Sequence, residues 1–210
     1  RDRVVSFDIF DTLIKRVVNT PETIFDLIGE RYNLDDFRDF RMKNQNLASQ
    51  KVSQEFNYPH ADINQIYEYI AKKEKNKYDW EKIKVAEIQM EYDAAVVNPE
   101  IMEIYKLARN LGKKIIAVSD MYLCREDIEK MLIKCGYNDL DQIYISSEVK
   151  KTKYQGDIYK YVAFKEKKEP EQIIHIGDNY ASDVQNARRA GWKAYLYENC
   201  LLYTSDAADD

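Results

Sequence analysis

Histidine is nearly absent from this 210-residue chain: His60 and His175 are the two present. Neither belongs to an HExxH pair, and the three cysteines form no CxxC, so a zinc enzyme is excluded by its ligand supply. Three cysteines also exclude a disulfide framework. Six glycines and four prolines argue against a fibrous, low-complexity or disordered chain. No run approaches the roughly 20 apolar residues of a membrane span, and no signal peptide opens the sequence. A cytoplasmic protein is therefore expected. The net charge of −5 is mild and evenly spread, which gives no reason to expect a nucleic-acid partner.

What is present is 45% apolar and 33% charged, enough to bury one core, with or without an insertion. Short apolar runs recur at residues 4–10, 115–118, 143–145, 173–176 and 193–197. They are continuous rather than alternating, as suits parallel strands buried on both faces. Helical text at 125–135, 157–165 and 180–190 separates the later runs, punctuated by Gly136, Gly156 and Gly191. The pattern is α/β, a doubly wound parallel sheet.

About a hundred residues between the first and second runs hold no strand-like segment and read as helices. Thr20-Pro21-Glu22 predicts a helix start, with Phe25, Leu27, Ile28 and Tyr32 forming its apolar face. Further helices are predicted over 35–52, 62–73 and 78–96, with a break at Asn57-Tyr58-Pro59 and a new helix opening at Asn98-Pro99. The expected division is a core of residues 1–17 and 98–199 with an all-helical insert at 18–97.

Both ends invite comment. The chain begins at Arg1 without methionine, just ahead of a buried run, so a short upstream segment is expected. Residues 200–210, Cys-Leu-Leu-Tyr-Thr-Ser-Asp-Ala-Ala-Asp-Asp, match the in-frame translation of a sequencing-library adapter, and are set aside from fold reasoning. The other reading is a natural acidic tail. Without the tail's three aspartates, 34 acids face 32 bases, and the net charge is −2. The natural protein is expected to continue past Asn199, where a C-terminal partner domain could follow.

Four polar groups stand where apolar runs end. The first run closes on Ser6-Phe7-Asp8-Ile9-Phe10-Asp11-Thr12-Leu13, the second on Val118-Ser119-Asp120. Lys153 follows the third, and the fourth closes on Gly177-Asp178-Asn179-Tyr180-Ala181-Ser182-Asp183. In open α/β sheets ligands bind beyond the carboxyl ends of the strands, so all four groups are predicted to meet on one rim. Asp8 and Asp178 offer hard oxygens that suit Mg²⁺. An aspartate can attack phosphorus, Thr12 or Ser119 can donate to phosphoryl oxygens, and Lys153 can offset their charge. Taken singly, each has an ordinary structural explanation. An aspartate at a strand end makes a turn or cap, Ser119-Asp120 caps a helix, Gly177 makes a tight turn, and Asp183 is a first-turn acid. Lys150 and Lys151 compete with Lys153.

Together and in this order, these motifs resemble the haloacid dehalogenase superfamily, most of whose members are magnesium-dependent phosphatases. The resemblance runs from Val4 to about Tyr197 and includes a helical cap between the first two motifs. It implies that Asp8 is nucleophile and metal ligand, that the Phe10 carbonyl and Asp178 complete the protein's ligands, and that Asp183 supports the metal or Lys153 from behind. It implies further that Ser119, Asp120 and Lys153 meet the phosphoryl group of a small anionic substrate. The segments Phe7-Asp8-Ile9-Phe10-Asp11-Thr12-Leu13 and Val118-Ser119-Asp120-Met121-Tyr122-Leu123 are similar to a bacterial branch found beside glycosyltransferases in surface-polysaccharide proteins.

One position departs. The superfamily's phosphatases carry an acid/base aspartate two residues after the nucleophile, where this chain has Phe10. Asp11 is one residue further, and on an extended segment it would face the other way. Since such a group is worth about 10²–10⁴-fold, alkyl phosphates should be hydrolysed slowly and acyl or aryl phosphates less so. Two alternatives stay open. The dehalogenases proper have an aromatic at this position, but work without metal and are not expected to keep Asp178. A binding or assembly domain with little turnover is the other.

Lesser features complete the reading. Lys15 and Arg16 sit where the chain leaves the core and are candidate phosphate contacts or a solvated pair. The segment 72–77 is a solvated turn or a basic edge that attracts anions. Cys124 and Cys135 are expected to be inert, and His175 to be a packed residue.

Overall fold

A computed structural model describes residues 3–75 and 77–198; the tail at 200–210 and Asn199 lie outside them. Five strands build one sheet: β1 (Val4–Phe7), β4 (Lys114–Ser119), β5 (Gln142–Ile145), β6 (Ile173–Gly177) and β7 (Lys193–Leu196), in the order β5-β4-β1-β6-β7. Every pairing is parallel, with Phe7 opposite Ala117 on one side and Ile176 on the other. Helices cover both faces: α5 (Pro99–Asn110) and α6 (Arg125–Lys134), then α7 (Ser146–Val149), α8 (Asp157–Glu166) and α9 (Asn186–Arg189). This is the expected α/β doubly wound parallel sheet.

Burial explains the continuous apolar runs. Along β4, Ile115 and Ala117 join one cluster while Ile116 and Val118 join the other, so the middle of this strand is apolar on both faces. The exception on β1 is Ser6, fully buried, whose hydroxyl lies 2.8 Å from His175 Nδ1.

The insert carries α1 (Thr23–Tyr32), α2 (Phe37–Phe56), α3 (Ile63–Lys73) and α4 (Trp80–Ala94). Its apolar residues Ile24, Phe25, Ile28, Ile63, Ile66 and Ile70 are continuous with those beneath the sheet. A buried pair, Arg41 with Glu87 at 2.7 and 2.8 Å, ties α2 to α4, and the Tyr67 hydroxyl donates to the same carboxylate at 2.6 Å. Helix α3 begins at Asp62, whose carboxylate accepts from the Gln65 amide while the Gln65 side chain accepts from the Asp62 amide.

Several sequence expectations need correction. The stretch between the first two sheet strands is not strandless: β2 (Ile14–Arg16) pairs antiparallel with β3 (Ala95–Val97) where the chain leaves and re-enters the sheet. Three-residue strands are too short to show a period. The first strand ends at Phe7 rather than Phe10, because Asp11 turns back with φ +62° and its amide donates to Ile14 O. Helix α1 starts at Thr23, with Glu22 rather than Thr20 before it. The predicted helix over 180–190 is a π-helical turn, Tyr180–Gln185, running into α9.

Candidate active site

Four loops meet at the carboxyl edge of the sheet. Asp8 follows β1, Ser119 ends β4, Gly177 ends β6 with Asp178 next, and Lys153 sits in the loop between α7 and α8. The central place of β1 in the strand order makes this the point where the connections diverge to either side, the crevice in which open α/β sheets bind ligands.

Lys153 is the hub. Its ammonium donates to Asp8 Oδ1 at 2.5 Å and to Asp183 Oδ1 at 2.6 Å, and all three side chains are buried. Desolvation would release its proton, but the two carboxylates outweigh it and hold the amine protonated. Lys150 and Lys151 pair instead with Asp62 and Asp157, so of the three lysines it is Lys153 that stands beside Asp8.

The lysine is held in turn by its loop. Asp120 Oδ1 accepts from the Lys153 amide at 2.8 Å and Oδ2 from the Tyr154 amide at 3.1 Å. Asn186 donates to the carbonyls of Lys153 and Tyr154 at 3.0 and 2.7 Å. Both Asp120 oxygens are therefore engaged by backbone, and this side chain positions the lysine. Asn186 carries no sequence signal: its role depends on a turn 33 residues away.

Asp183 has no oxygen to spare. Oδ1 faces Lys153 and His175 Nε2 (3.3 Å), and Oδ2 accepts from the Asn179 amide at 3.0 Å. Burial raises its pKa, but Lys153 and His175 prevail and hold it well below the usual carboxylate range. His175 is indeed buried, packed edgewise on Tyr159 and Trp192, and burial lowers its pKa. It does more than fill space, since it bridges Ser6 and Asp183.

Asp8 and Asp178 are the opposite case. Burial, Asp183 and Asp178 push the Asp8 pKa well up against the pull of Lys153. Burial and then Asp183 raise Asp178. Oxygens of Asp8, Asp178 and Asp183 lie within 4.8 Å of one another. Three carboxylates this close, two buried and that of Asp178 half-buried, need positive charge beyond one lysine, and hard oxygens suit magnesium. With both Asp183 oxygens engaged, the second oxygens of Asp8 and Asp178 are the available donors. The Phe10 carbonyl accepts no backbone hydrogen bond among the described residues, which fits a third ligand.

Thr12 departs from expectation. It is fully buried and lies outside the cavity lining; its hydroxyl faces Asp178 Oδ1 at 3.5 Å, and its carbonyl accepts from Asn98 at 2.7 Å. It orients Asp178 rather than meeting a ligand directly. Lys15 also lies outside the lining, with its ammonium 5.8 Å from the Tyr197 ring centre.

The cavity holds about 590 Å³ between the sheet edge and the insert. Asp8, Ser119, Lys153 and Asp178 form its floor; Arg16, Phe25, Met42, Gln45 and Glu91 contribute from the other side. Asp11 also lines it, which corrects the extended-strand argument: a left-handed residue turns its side chain out of the alternation. Arg16 is nearly buried, donates from Nε to Glu91 at 2.9 Å, and stacks over the Phe10 ring. Cys124 and Cys135 stand apart, and burial pushes both thiols up, consistent with inert residues. In the basic segment, Lys72 and Lys77 pair with Glu68 and Glu74, and Asn76 lies outside the described residues.

Comparisons with known proteins agree with this fold. No curated protein matches the chain significantly. Among solved structures, a haloacid-dehalogenase phosphatase from Thermococcus onnurineus superposes with TM-score 0.63 at 18% identity, covering 99% of this chain and 91% of that one. A family enzyme from Bacteroides thetaiotaomicron, in complex with magnesium and inorganic phosphate, gives 0.62 at 15% identity, over 97% and 98%. L-2-haloacid dehalogenase from Xanthobacter autotrophicus gives 0.62 at 17%, over 92% and 76%. At these identities the likeness is one of fold. The family model for haloacid dehalogenase-like hydrolases matches residues 3–191, and the chain belongs to that family.

Proposed function

We propose that this hydrolase is a magnesium-dependent phosphatase acting through an aspartyl-phosphate on Asp8. The observation that carries the reading is the charge of the cavity. Seven carboxylates line it, those of Asp8, Asp11, Glu22, Glu91, Asp120, Asp178 and Asp183, against two cations, Arg16 and Lys153. Both cations are already paired with acids. Such a site favours a divalent cation and the phosphoryl group it would accompany, and disfavours the free carboxylate of a haloacid.

Asp8, Asp178 and the Phe10 carbonyl would hold magnesium, which would supply charge compensation for the nucleophile and the phosphoryl oxygens. An Asp8 oxygen attacks phosphorus, the bond to the leaving oxygen breaks, and the electron pair departs with it. Lys153, pinned between Asp8 and Asp183, opposes the burial that raises the Asp8 pKa without offsetting it, so the charge of magnesium would be needed to keep Asp8 ionised; the lysine faces the phosphoryl oxygens together with the Ser119 hydroxyl. Asp120 acts through the lysine's loop and Thr12 through Asp178. Water then attacks phosphorus and releases Asp8. Phe10 provides no proton in either half, so poor leaving groups react slowly and the phosphoenzyme is long-lived.

The insert over residues 18–97 serves as a helical cap that closes the cavity against water. A cytoplasmic, small-molecule role fits this reading, and a tie to surface-polysaccharide glycosyltransferases rests on the motif resemblance alone. One observation favours a second reading: the aromatic at position 10 is the dehalogenase choice, and dehalogenases stand among the structural neighbours.

The test is phosphate release from acetyl phosphate and 4-nitrophenyl phosphate, with and without magnesium, beside Asp8→Asn. Release that needs both magnesium and Asp8 supports the reading. Metal-independent chloride release from 2-chloropropionate would replace it with the dehalogenase. Neither activity in a folded protein that binds magnesium would point to a binding or assembly domain.

A further inference from the structure

Phe10 occupies the position where a leaving-group acid is expected, and its ring is not merely filling space. The guanidinium carbon of Arg16 lies 4.3 Å from the ring centre, within the range of a cation–π contact. Arg16 ends β2, a strand that exists because β3 pairs with it, so the side chain is aimed by the ribbon at the base of the insert. Glu91 takes its Nε at 2.9 Å, and Asp11 Oδ2 stands 3.9 Å from Nη1. No hydrogen bond among the described residues uses Nη1 or Nη2. Arg16, Phe10, Asp11 and Glu91 all line the cavity that contains Asp8.

We infer that Arg16 is a catalytic residue of this site: its Nη groups donate hydrogen bonds to the leaving oxygen and stabilise the charge that develops there, in the place vacated by the missing acid. The inference rests on the phosphoryl-transfer reading above.

The chemistry is that of an oxyanion donor, not of an acid. A guanidinium stays protonated throughout, so it cannot pass a proton to the leaving oxygen. The bond between Asp8 and phosphorus forms, the bond from phosphorus to the leaving oxygen breaks, and that oxygen keeps the electron pair. It then takes a proton from water in the cavity. Arg16 matters in proportion to the negative charge the leaving oxygen acquires before that proton arrives. Acyl phosphates, whose leaving group carries its charge easily, need little of this help. Aryl and alkyl phosphates need progressively more. The platform is fixed in advance by the Phe10 ring and Glu91, which is what makes a donor effective without reorganisation.

The variant must not leave Glu91 buried and alone, so Arg16→Met is combined with Glu91→Gln. Initial rates are measured with magnesium on acetyl phosphate and phenyl phosphate, and Asp11→Asn is run beside it. Loss of one such donor is worth about 10²–10³-fold in kcat, so phenyl phosphate turnover should fall by that order while acetyl phosphate stays within about threefold. An equal loss on both substrates, or no loss, overturns the inference and leaves the phosphatase reading standing. So does a loss on phenyl phosphate alone that Asp11→Asn reproduces, which would make Asp11 the leaving-group donor. Absence of any magnesium- and Asp8-dependent release by the unaltered protein overturns the phosphatase reading first, and this inference with it. If the double variant does not fold, Arg16→Lys keeps the charge beside Glu91 but loses the forked donors, and carries the same comparison.

Discussion

Gly177 and Asp183 approach so closely that a single methyl group on the glycine would collide with the acid. A Cβ built on Gly177 would stand 2.5 Å from Asp183 Oδ2 and 2.6 Å from its Cβ. The π-helical turn Tyr180–Gln185 brings Asp183 back beneath the end of β6, where its amide donates to Asn179 O at 2.8 Å. The glycine is needed for space, not for its backbone freedom.

Gly177→Ala should therefore displace Asp183 and loosen Lys153. The expected outcome is a stability loss of about 1–3 kcal/mol, as for other overpacked sites. Turnover should fall by more than the loss of folded protein explains. Urea unfolding alongside initial rates checks both.

Phe10→Asp should have two opposing effects. Supplying the absent acid raises turnover of an alkyl phosphate by about 10²-fold or more. The ring, however, is a buried member of the main apolar cluster and the platform for Arg16. Stability should drop by about 3 kcal/mol, typical of losing a core phenylalanine. Thermal unfolding beside a rate assay on glycerol phosphate measures the two; unchanged turnover in the folded fraction would contradict the role assigned to position 10.

Magnesium should stabilise the chain through Asp8 and Asp178. At a hundredfold excess over Kd, one site adds about 2.7 kcal/mol. For a chain of this size that is about 5–10 °C in Tm. The shift should disappear on chelation and be absent in Asp178→Asn. Differential scanning calorimetry with and without magnesium checks it, and an undiminished shift in Asp178→Asn would place the metal elsewhere.

The pair Arg41–Glu87 should behave as a structural clasp of the insert. Both side chains are fully buried, and Phe25, Tyr67 and Tyr122 rings surround the guanidinium. Arg41→Met alone leaves Glu87 uncompensated and should cost roughly 3–5 kcal/mol. Replacing Glu87 by Gln in the same chain should recover much of it. Denaturant midpoints of the single and double variants decide the point.

The sheet was readable in the chain because both faces of its central strands are buried: β1, β4 and β6 are almost continuously apolar at their buried positions, and they give way to Asp8, Ser119 and Asp178. The helices of the insert were readable from apolar spacing and from the capping residue Asp62. The β2–β3 ribbon was not, since three residues such as Ile14-Lys15-Arg16 show no period and acquire a partner some eighty residues later. The predicted helix at 180–190 became a π turn because Asp183 must reach Lys153, a demand that lies outside its own segment.

Order and residue type along the chain were enough to bring Asp8, Ser119, Lys153 and Asp178 to one rim, since strand ends in a parallel sheet share an edge. Which groups have free atoms there was decided only by packing. Asp183 is occupied on both oxygens, Asp120 holds two amides, Thr12 is sealed behind Asp178, and Lys153 alone among three neighbouring lysines is buried. Those assignments depend on distances between residues far apart in the chain, and on the charge each buried group finds beside it, which no local pattern of residues encodes.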